Sequence, residues 1–184
     1  MKKNAMIVIL MLWISIFSWG KNRCFANLAI TFNQSSDANY QLIYNTFHPG
    51  ADFTIAWNFF NRFNLWGGIG LVPAWGTIPE FQDKSFSLQV YMQLGIGTKF
   101  ALSKRASLQV HFGGVAAMYS ENAMNVTVRR TAFGFVGGID IHALLKKRSF
   151  LSILADYIYA QDHYKENLIK PGGFRIGIGW GTSF

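Results

Sequence analysis

Four histidines, His48, His111, His142 and His163, are the imidazoles available for acid–base or metal chemistry, and their neighbours limit what they can do. No spacing of His, Cys, Asp and Glu reads as a metal site, and Asp162-His163 reads as a solvated loop pair. Ser152 and Asp156 share one face of an alternating segment, but no histidine lies near them in sequence, so a serine device would need a partner brought in by the fold. The glycine pairs Gly67-Gly68, Gly113-Gly114 and Gly137-Gly138 precede no helix and cannot cradle a phosphate in the usual way. Catalytic, cofactor and metal sites are therefore all expected to be absent. What remains is polarity in unusual places: Gln89, Gln93, Lys99, His111, Asp140, Asp156 and Arg175 interrupt stretches otherwise made of apolar residues and glycine.

The elements that must position these residues are strands. In the last thirteen residues Phe174, Ile176, Ile178, Trp180, Thr182 and Phe184 fall on one parity, and Gly173, Arg175, Gly177, Gly179, Gly181 and Ser183 on the other. Successive strand side chains point to opposite faces, so one face is continuously apolar and the other small or polar. The same division recurs upstream. Phe86, Leu88, Val90, Met92, Leu94 and Ile96 oppose Ser87, Gln89, Tyr91, Gln93 and Lys99; Leu108, Val110 and Phe112 oppose Gln109 and His111. Phe133, Phe135, Ile139 and Ile141 oppose Asp140 and His142, and Leu151, Ile153, Tyr157 and Tyr159 oppose Ser152 and Asp156. A soluble core would not take two glutamines and a lysine in line. The arrangement is that of a strand with lipid on its apolar side and a polar lumen on the other.

Composition agrees. The chain has 184 residues, 51% hydrophobic and 16% aromatic, yet no internal apolar run of the ~18 residues that a spanning helix needs. Barrel strands cross in ~9–11 residues with every second one apolar, which disperses the hydrophobicity as seen here. The first 26 residues read as a signal peptide: Met1-Lys2-Lys3 is basic, residues 5–19 are apolar, and Cys24-Phe25-Ala26 offers a cleavage site. The mature chain, residues 27–184, would then begin at Asn27 without cysteine, which excludes disulfides and thiol chemistry. The formal charge of +8 falls once Lys2, Lys3, Lys21 and Arg23 are removed, and the remaining basic pairs sit at turns. No basic stripe or RNA-binding signature is present, so nucleic acid is not an expected partner.

Short turns near residues 61–63, 101–106 and 145–148 alternate with longer polar links at 77–84, 121–130 and 161–171. One crossing before residue 48, its register open, and seven after it give an all-β, eight-stranded antiparallel up-and-down transmembrane β-barrel. Aromatic residues divide into two bands, Phe59, Phe63, Phe100, Phe150, Trp180 and Phe184 toward the short-turn end and Phe53, Trp75, Tyr119, Tyr157 and Tyr159 toward the long-loop end, as interfacial girdles would, and Trp57 is counted among the girdle residues. Counting from the ends of neighbouring antiparallel strands brings Asp156 and Arg175 to similar depth, where opposite charges should pair. Lys99, His111 and Asp140 suggest a second polar cluster lower down. Eight strands leave little room beyond such side chains, so a plugged lumen is expected.

With Ala155-Asp156-Tyr157-Ile158-Tyr159 in the penultimate strand and the run from Gly173 to Trp180 followed by terminal Phe184, the chain resembles the small bacterial outer-membrane barrels of the OmpA, OmpX and opacity-protein type. The resemblance implies export to the outer membrane of a Gram-negative-type bacterium and contact with outer-membrane lipid and lipopolysaccharide. It also implies recognition of Trp180 and Phe184 by the barrel-assembly machinery, although Thr182 departs from the bulky residue preferred two positions before the end. A non-enzymatic structural or surface-interaction role, adhesin- or porin-like, follows from it, with any extracellular partner met by the loops. The alternatives are a lipid A-modifying acyl hydrolase or acyltransferase barrel, whose His-x-Ser-Asn arrangement is not found here, and a small porin. A soluble ligand-binding barrel would instead turn its apolar parity inward.

Overall fold

The computed structural model describes residues 24–59, 62–124, 126–164 and 167–184. The leader residues 1–23 lie outside them. Period-two alternation produces strands nearly everywhere: β1 (Cys24–Ser35), β2 (Phe47–Asn58), β3 (Phe63–Thr77), β4 (Lys84–Ala101), β5 (Ala106–Ala123), β6 (Val126–Leu144), β7 (Ser149–Tyr164), a short β8 (Asn167–Ile169) and β9 (Gly173–Ser183). The one helix among the described residues, α1 (Ala38–Tyr44), lies between β1 and β2. Each strand from β1 to β7 pairs antiparallel with the next, β7 pairs with β9, and β9 pairs back onto β1. The wall is thus a closed eight-stranded antiparallel barrel, with β8 a small flap on the end of β7. Closure is completed at the chain ends, where Cys24 N–H donates to the Phe184 carbonyl at 3.1 Å and Phe184 N–H to the Cys24 carbonyl at 2.9 Å. No sheet edge is left in the wall for another chain to pair with.

The two parities separate as lipid-facing and lumen-facing sides. Leu28, Ile30, Phe53, Ile69, Met92, Leu94, Phe112, Phe135, Ile153 and Ile178 are exposed on the outside, while Asn27, Thr31, Asp52, Gln93, Gln109, His111, Ser152, Asp156 and Arg175 are buried inside. This is the inverse of a soluble barrel and rules against the inward apolar packing that a soluble ligand carrier requires. Glycines let the narrow wall close: Gly95 and Gly113 are cross-strand partners, and a Cβ on Gly95 would sit 2.6 Å from the Gly113 Cα. Pro73 lies two residues beyond the last β2–β3 pair, Ala51↔Leu71, near the rim.

Several local features differ from the sequence expectation. β1 starts at Cys24, three residues before the expected mature start at Asn27, and its first residues pair with both neighbours: Ala26 faces Ile55 and Thr182. The link from β1 to β2 is helical over Ala38–Tyr44. Asp37 caps α1, its Oδ1 accepting from the N–H groups of Asn39 at 2.9 Å and Tyr40 at 3.2 Å, and Tyr40 and Tyr44 stack one turn apart with ring centroids at 4.5 Å. The segment 121–130 is mostly strand, with Glu121 opposite Val128 and Asn122 opposite Thr127. β5 and β6 are 18 and 19 residues long, more than the ~9–11 needed to cross, so they continue as a ribbon beyond the wall. Within 161–171, β7 and β8 likewise form a ribbon. The tight turns fall at the end where Cys24 meets Phe184; that end is called the turn end below, and the other the loop end.

Candidate functional site: a charged network across the lumen

Arg175 enters the lumen from β9 because its parity is opposite to that of Phe174 and Ile176. It is 5% exposed, and its guanidinium reaches three strands. Nε donates to Asp156 Oδ2 at 3.0 Å, Nη2 contacts the same carboxylate, Nη1 donates to Asp52 Oδ1 at 2.5 Å, and Nη2 also donates to Gln93 Oε1 at 3.3 Å. Asp156 and Arg175 are direct cross-strand partners. Asp52, by contrast, comes from β2, two strands away from β9 across β1.

The network continues through His111. Its Nε2 lies 3.0 Å from Asp156 Oδ1 and its Nδ1 lies 3.2 Å from Asp140 Oδ2. Both ring nitrogens thus lie within ion-pairing distance of a carboxylate. The resulting chain runs Asp52, Arg175, Asp156, His111, Asp140. Two glycines make room for it. A Cβ on Gly70 would stand 2.4 Å from Asp52 Oδ1, and one on Gly138 would stand 2.1 Å from Asp156 Oδ1. Although His111, Asp140 and Asp156 offer ligand atoms within 4.8 Å of one another, the Asp156 carboxylate already serves Arg175 and His111, so the donor set is one of ion pairs.

The sequence-predicted residues divide accordingly. Asp156, Arg175, Gln93, His111 and Asp140 come together in one network where two clusters were expected. Gln89 sits nearer the loop end and its Oε1 accepts from the Tyr91 hydroxyl. Lys99 stands apart, its ammonium 5.6 Å from the centre of the Phe25 ring and paired with no carboxylate among the described residues. Trp75, Tyr157, Tyr159 and Trp180 are exposed on the outer face, and Trp57 is half-buried there. Phe150 and Tyr119 are not girdle residues: both are buried and face inward.

Aromatic and polar residues flank the network on both sides. Toward the turn end, Phe25 packs edge-on to His142 at 5.5 Å and to Phe150 at 5.9 Å, and Trp66 packs against His111 at 4.9 Å while its Nε1 donates to the Ile96 carbonyl. Between this layer and the ion pairs the free space is about 20 Å³, room for about one water. Toward the loop end, the Tyr44 hydroxyl donates to Glu121 Oε1 at 2.8 Å and contacts the Ser85 hydroxyl. Higher still, Arg130 and Tyr119 both donate to Asp162. Sequence reasoning missed Asp52, Phe25, Trp66 and Tyr44. Asp52 carried a signal, since it shares the inward parity of Thr54 and Ala56; Phe25 lay within the expected leader.

Ser152 and His142 are cross-strand partners, a juxtaposition invisible in the sequence. The Ser152 hydroxyl nevertheless donates to Asn27 Oδ1 at 3.0 Å, and the His142 ring is held between Phe25 and Phe150. Both residues face the lumen and are buried.

Solved structures share this architecture at low sequence identity. The outer membrane protein OprG of Pseudomonas aeruginosa aligns with a TM-score of 0.68 at 9% identity, covering 89% of this chain and 97% of that one. Neisserial surface protein A aligns at 0.61 and 10% identity, covering 88% and 96%. Ail, the attachment invasion locus protein of Yersinia pestis, aligns at 0.56 and 11%, covering 89% and 97%. The chain has the fold of the small eight-stranded outer-membrane β-barrels. No protein-family model matches the sequence, and no curated protein matches it by sequence. The likeness is therefore one of fold.

Proposed function

We propose that this chain is a non-enzymatic integral protein of a bacterial outer membrane whose lumen is plugged by the charged network and whose loop-end ribbons meet an extracellular partner. The observation that carries the reading is the inversion of the barrel: apolar side chains ring the outside and buried ion pairs lie inside. A charge on the lipid side would cost ~2–4 kcal/mol near the midplane, whereas inside it finds partners. The free space of about 20 Å³ beside the network supports a plug over a porin-like diffusion path. The burial of Ser152 away from the lipid face, with its hydroxyl on Asn27, favours this over an acyl-chain enzyme. The names of two barrels of similar fold, a surface protein and an attachment invasion locus protein, support a surface-contact role for the loop-end segments at 77–84, 121–130 and 161–171. Phe81 and Met124 are exposed at these tips; the side chain of Tyr164 lies outside the described residues.

Conductance in planar bilayers tests the plug: the refolded wild-type protein is expected to give no stable open channel, and a steady one would replace this reading with a small porin. Contact with lipopolysaccharide follows from residence in that membrane, and Trp180 with Phe184 would serve as the signal read by the assembly machinery. Deleting Phe184 should then lower insertion in cells far more than refolding into detergent, while equal losses would remove the signal role.

For export, the pairing of β1 from Cys24 onward supports leader removal upstream of that residue. Ser18-Trp19-Gly20 puts small residues at the two recognition positions ahead of Lys21. Protein purified from outer membranes should have the intact mass of residues 21–184 and one alkylatable thiol after denaturation. A mass beginning at Asn27, with no thiol, would restore the later site.

A further inference from the structure

Below the Phe25 layer the lumen opens at the turn end into a cavity of about 260 Å³. Lys99, Lys104 and Arg105 line it, with the hydroxyl residues Ser103 and Ser107, and no aspartate or glutamate does. The β4–β5 turn that carries two of these cations is held in shape by Ser103, whose Oγ accepts from the N–H groups of Arg105 at 3.2 Å and Ala106 at 3.0 Å.

Lys99 differs from the other cations of the lumen. Arg175 has two carboxylates and His111 has two, but Lys99 has none among the described residues and lies against the Phe25 ring. A part-buried ammonium without a counterion is costly, and an anion supplied from outside removes that cost. The surroundings are also one-signed. Arg62, Lys104, Arg105, Lys146, Lys147 and Arg148 occupy the three turns at this end, none of them ion-paired among the described residues, whereas Asp37, Glu80, Asp83, Glu121 and Asp162 all lie at the other end. A concave mouth of one sign raises the local concentration of the opposite ion.

We propose that this turn-end mouth binds a phosphate-bearing anion, with Lys99 as its floor and Lys104 and Arg105 as its rim. Phosphate suits three converging cations better than a carboxylate does, since its several oxygens can accept from all of them at once. The cavity exceeds one phosphate group and so accommodates either a free phosphate or the headgroup of an anionic phospholipid from the adjacent leaflet. The second source rests on the membrane reading above; the first does not.

Two measurements on the refolded mature protein separate the sources. In zwitterionic micelles, inorganic phosphate at constant ionic strength should shift the amide resonances of residues 103–107 saturably, with chloride as the control. In nanodiscs, native mass spectrometry should detect retained phosphatidylglycerol in preference to phosphatidylcholine. A response in the first identifies soluble phosphate as a ligand, and a response in the second alone identifies the lipid headgroup. The triple change Lys99→Gln, Lys104→Gln, Arg105→Gln should weaken whichever response occurs on the order of tenfold, as three partly exposed charge contacts would. Lys146→Gln with Lys147→Gln removes charge from a neighbouring turn outside the cavity and should change it little; heat-modifiable migration on gels checks that each variant folds. Absence of both responses, or equal loss from the two sets of substitutions, would overturn the site.

Discussion

Arg175 and Tyr44 each span one level of the same lumen, and they reach their partners by different routes. Arg175 is carried by a wall strand, and strand register alone brings it to Asp156 and leaves its guanidinium spanning to Asp52 and Gln93. Tyr44 is carried by α1, a capped helix of about two turns that is not part of the wall, and is aimed at Glu121 and Ser85 by the Asp37 cap and the stack on Tyr40. The first is a cross-brace between strands; the second is a lid laid over them. Charge goes with the brace because its partners sit on wall strands, so desolvation of the ions is offset by several contacts at once. The lid, held by local structure, makes do with neutral hydroxyl donors and a single carboxylate.

If the brace is what the contrast says, Arg175→Met should have the largest effect. It leaves Asp52 and Asp156 facing each other without their cation and should destabilise the refolded barrel by about 3–5 kcal/mol, less where lumen water reaches the site. Urea unfolding in detergent or lipid measures this, and Asp156→Asn combined with it should cost less than the two single losses added together. Additive losses would mean that the two residues do not act as a pair.

Gly138→Ala tests whether the brace depends on cleared space as well as charge. The new methyl would meet Asp156 Oδ1 and, at 2.6 Å, the Ala155 carbonyl, and backbone cannot swing aside as a side chain can. A loss of about 1–3 kcal/mol is expected, while Gly114→Ala, whose Cβ would meet nothing within 4 Å, should be far milder. Equal costs at the two positions would show that general strand propensity, and not the network, sets the penalty.

Tyr44→Phe should be the mildest of the three, about 1–2 kcal/mol, and should leave the wall intact. The lid also carries a pH signature. Burial, with the neighbouring Glu121 adding to it, raises the Tyr44 phenol above its ordinary range. A phenol that holds its proton more tightly when folded adds stability that is complete below the unfolded value near ~10 and is lost as pH rises toward the folded one. The wild-type protein should therefore lose stability relative to Tyr44→Phe above about pH 10. Parallel stability curves for the two proteins across that range would remove Tyr44 from the lid.

Much of the brace was legible in the residues. Asp156 and Arg175 could be matched in depth because the two strands are neighbours and depth can be counted from a shared end. Asp52 could be assigned to the inside by parity, but no count relates it to Arg175, 123 positions away, until the barrel is closed. Lys99 shows the opposite failure. It shares a parity and an approximate depth with His111, yet it lies on the Phe25 side of the aromatic layer, and that layer is assembled from β1, β3 and β7.

Alternation by itself determined that the wall is built of strands and which parity meets lipid, because side-chain direction in a strand is a local property with a period of two. A local cap signal, Asp37, was also present for α1, though tyrosines alternating with aliphatic residues read equally as strand there. Only the tertiary structure decided that Cys24, Phe25 and Ala26 belong to the wall, that Phe150 and Tyr119 point inward, and that two expected clusters are one. Each of these depends on where β9 meets β1 and on the curvature that brings opposite walls within side-chain reach, and closure is a property of all eight strands together.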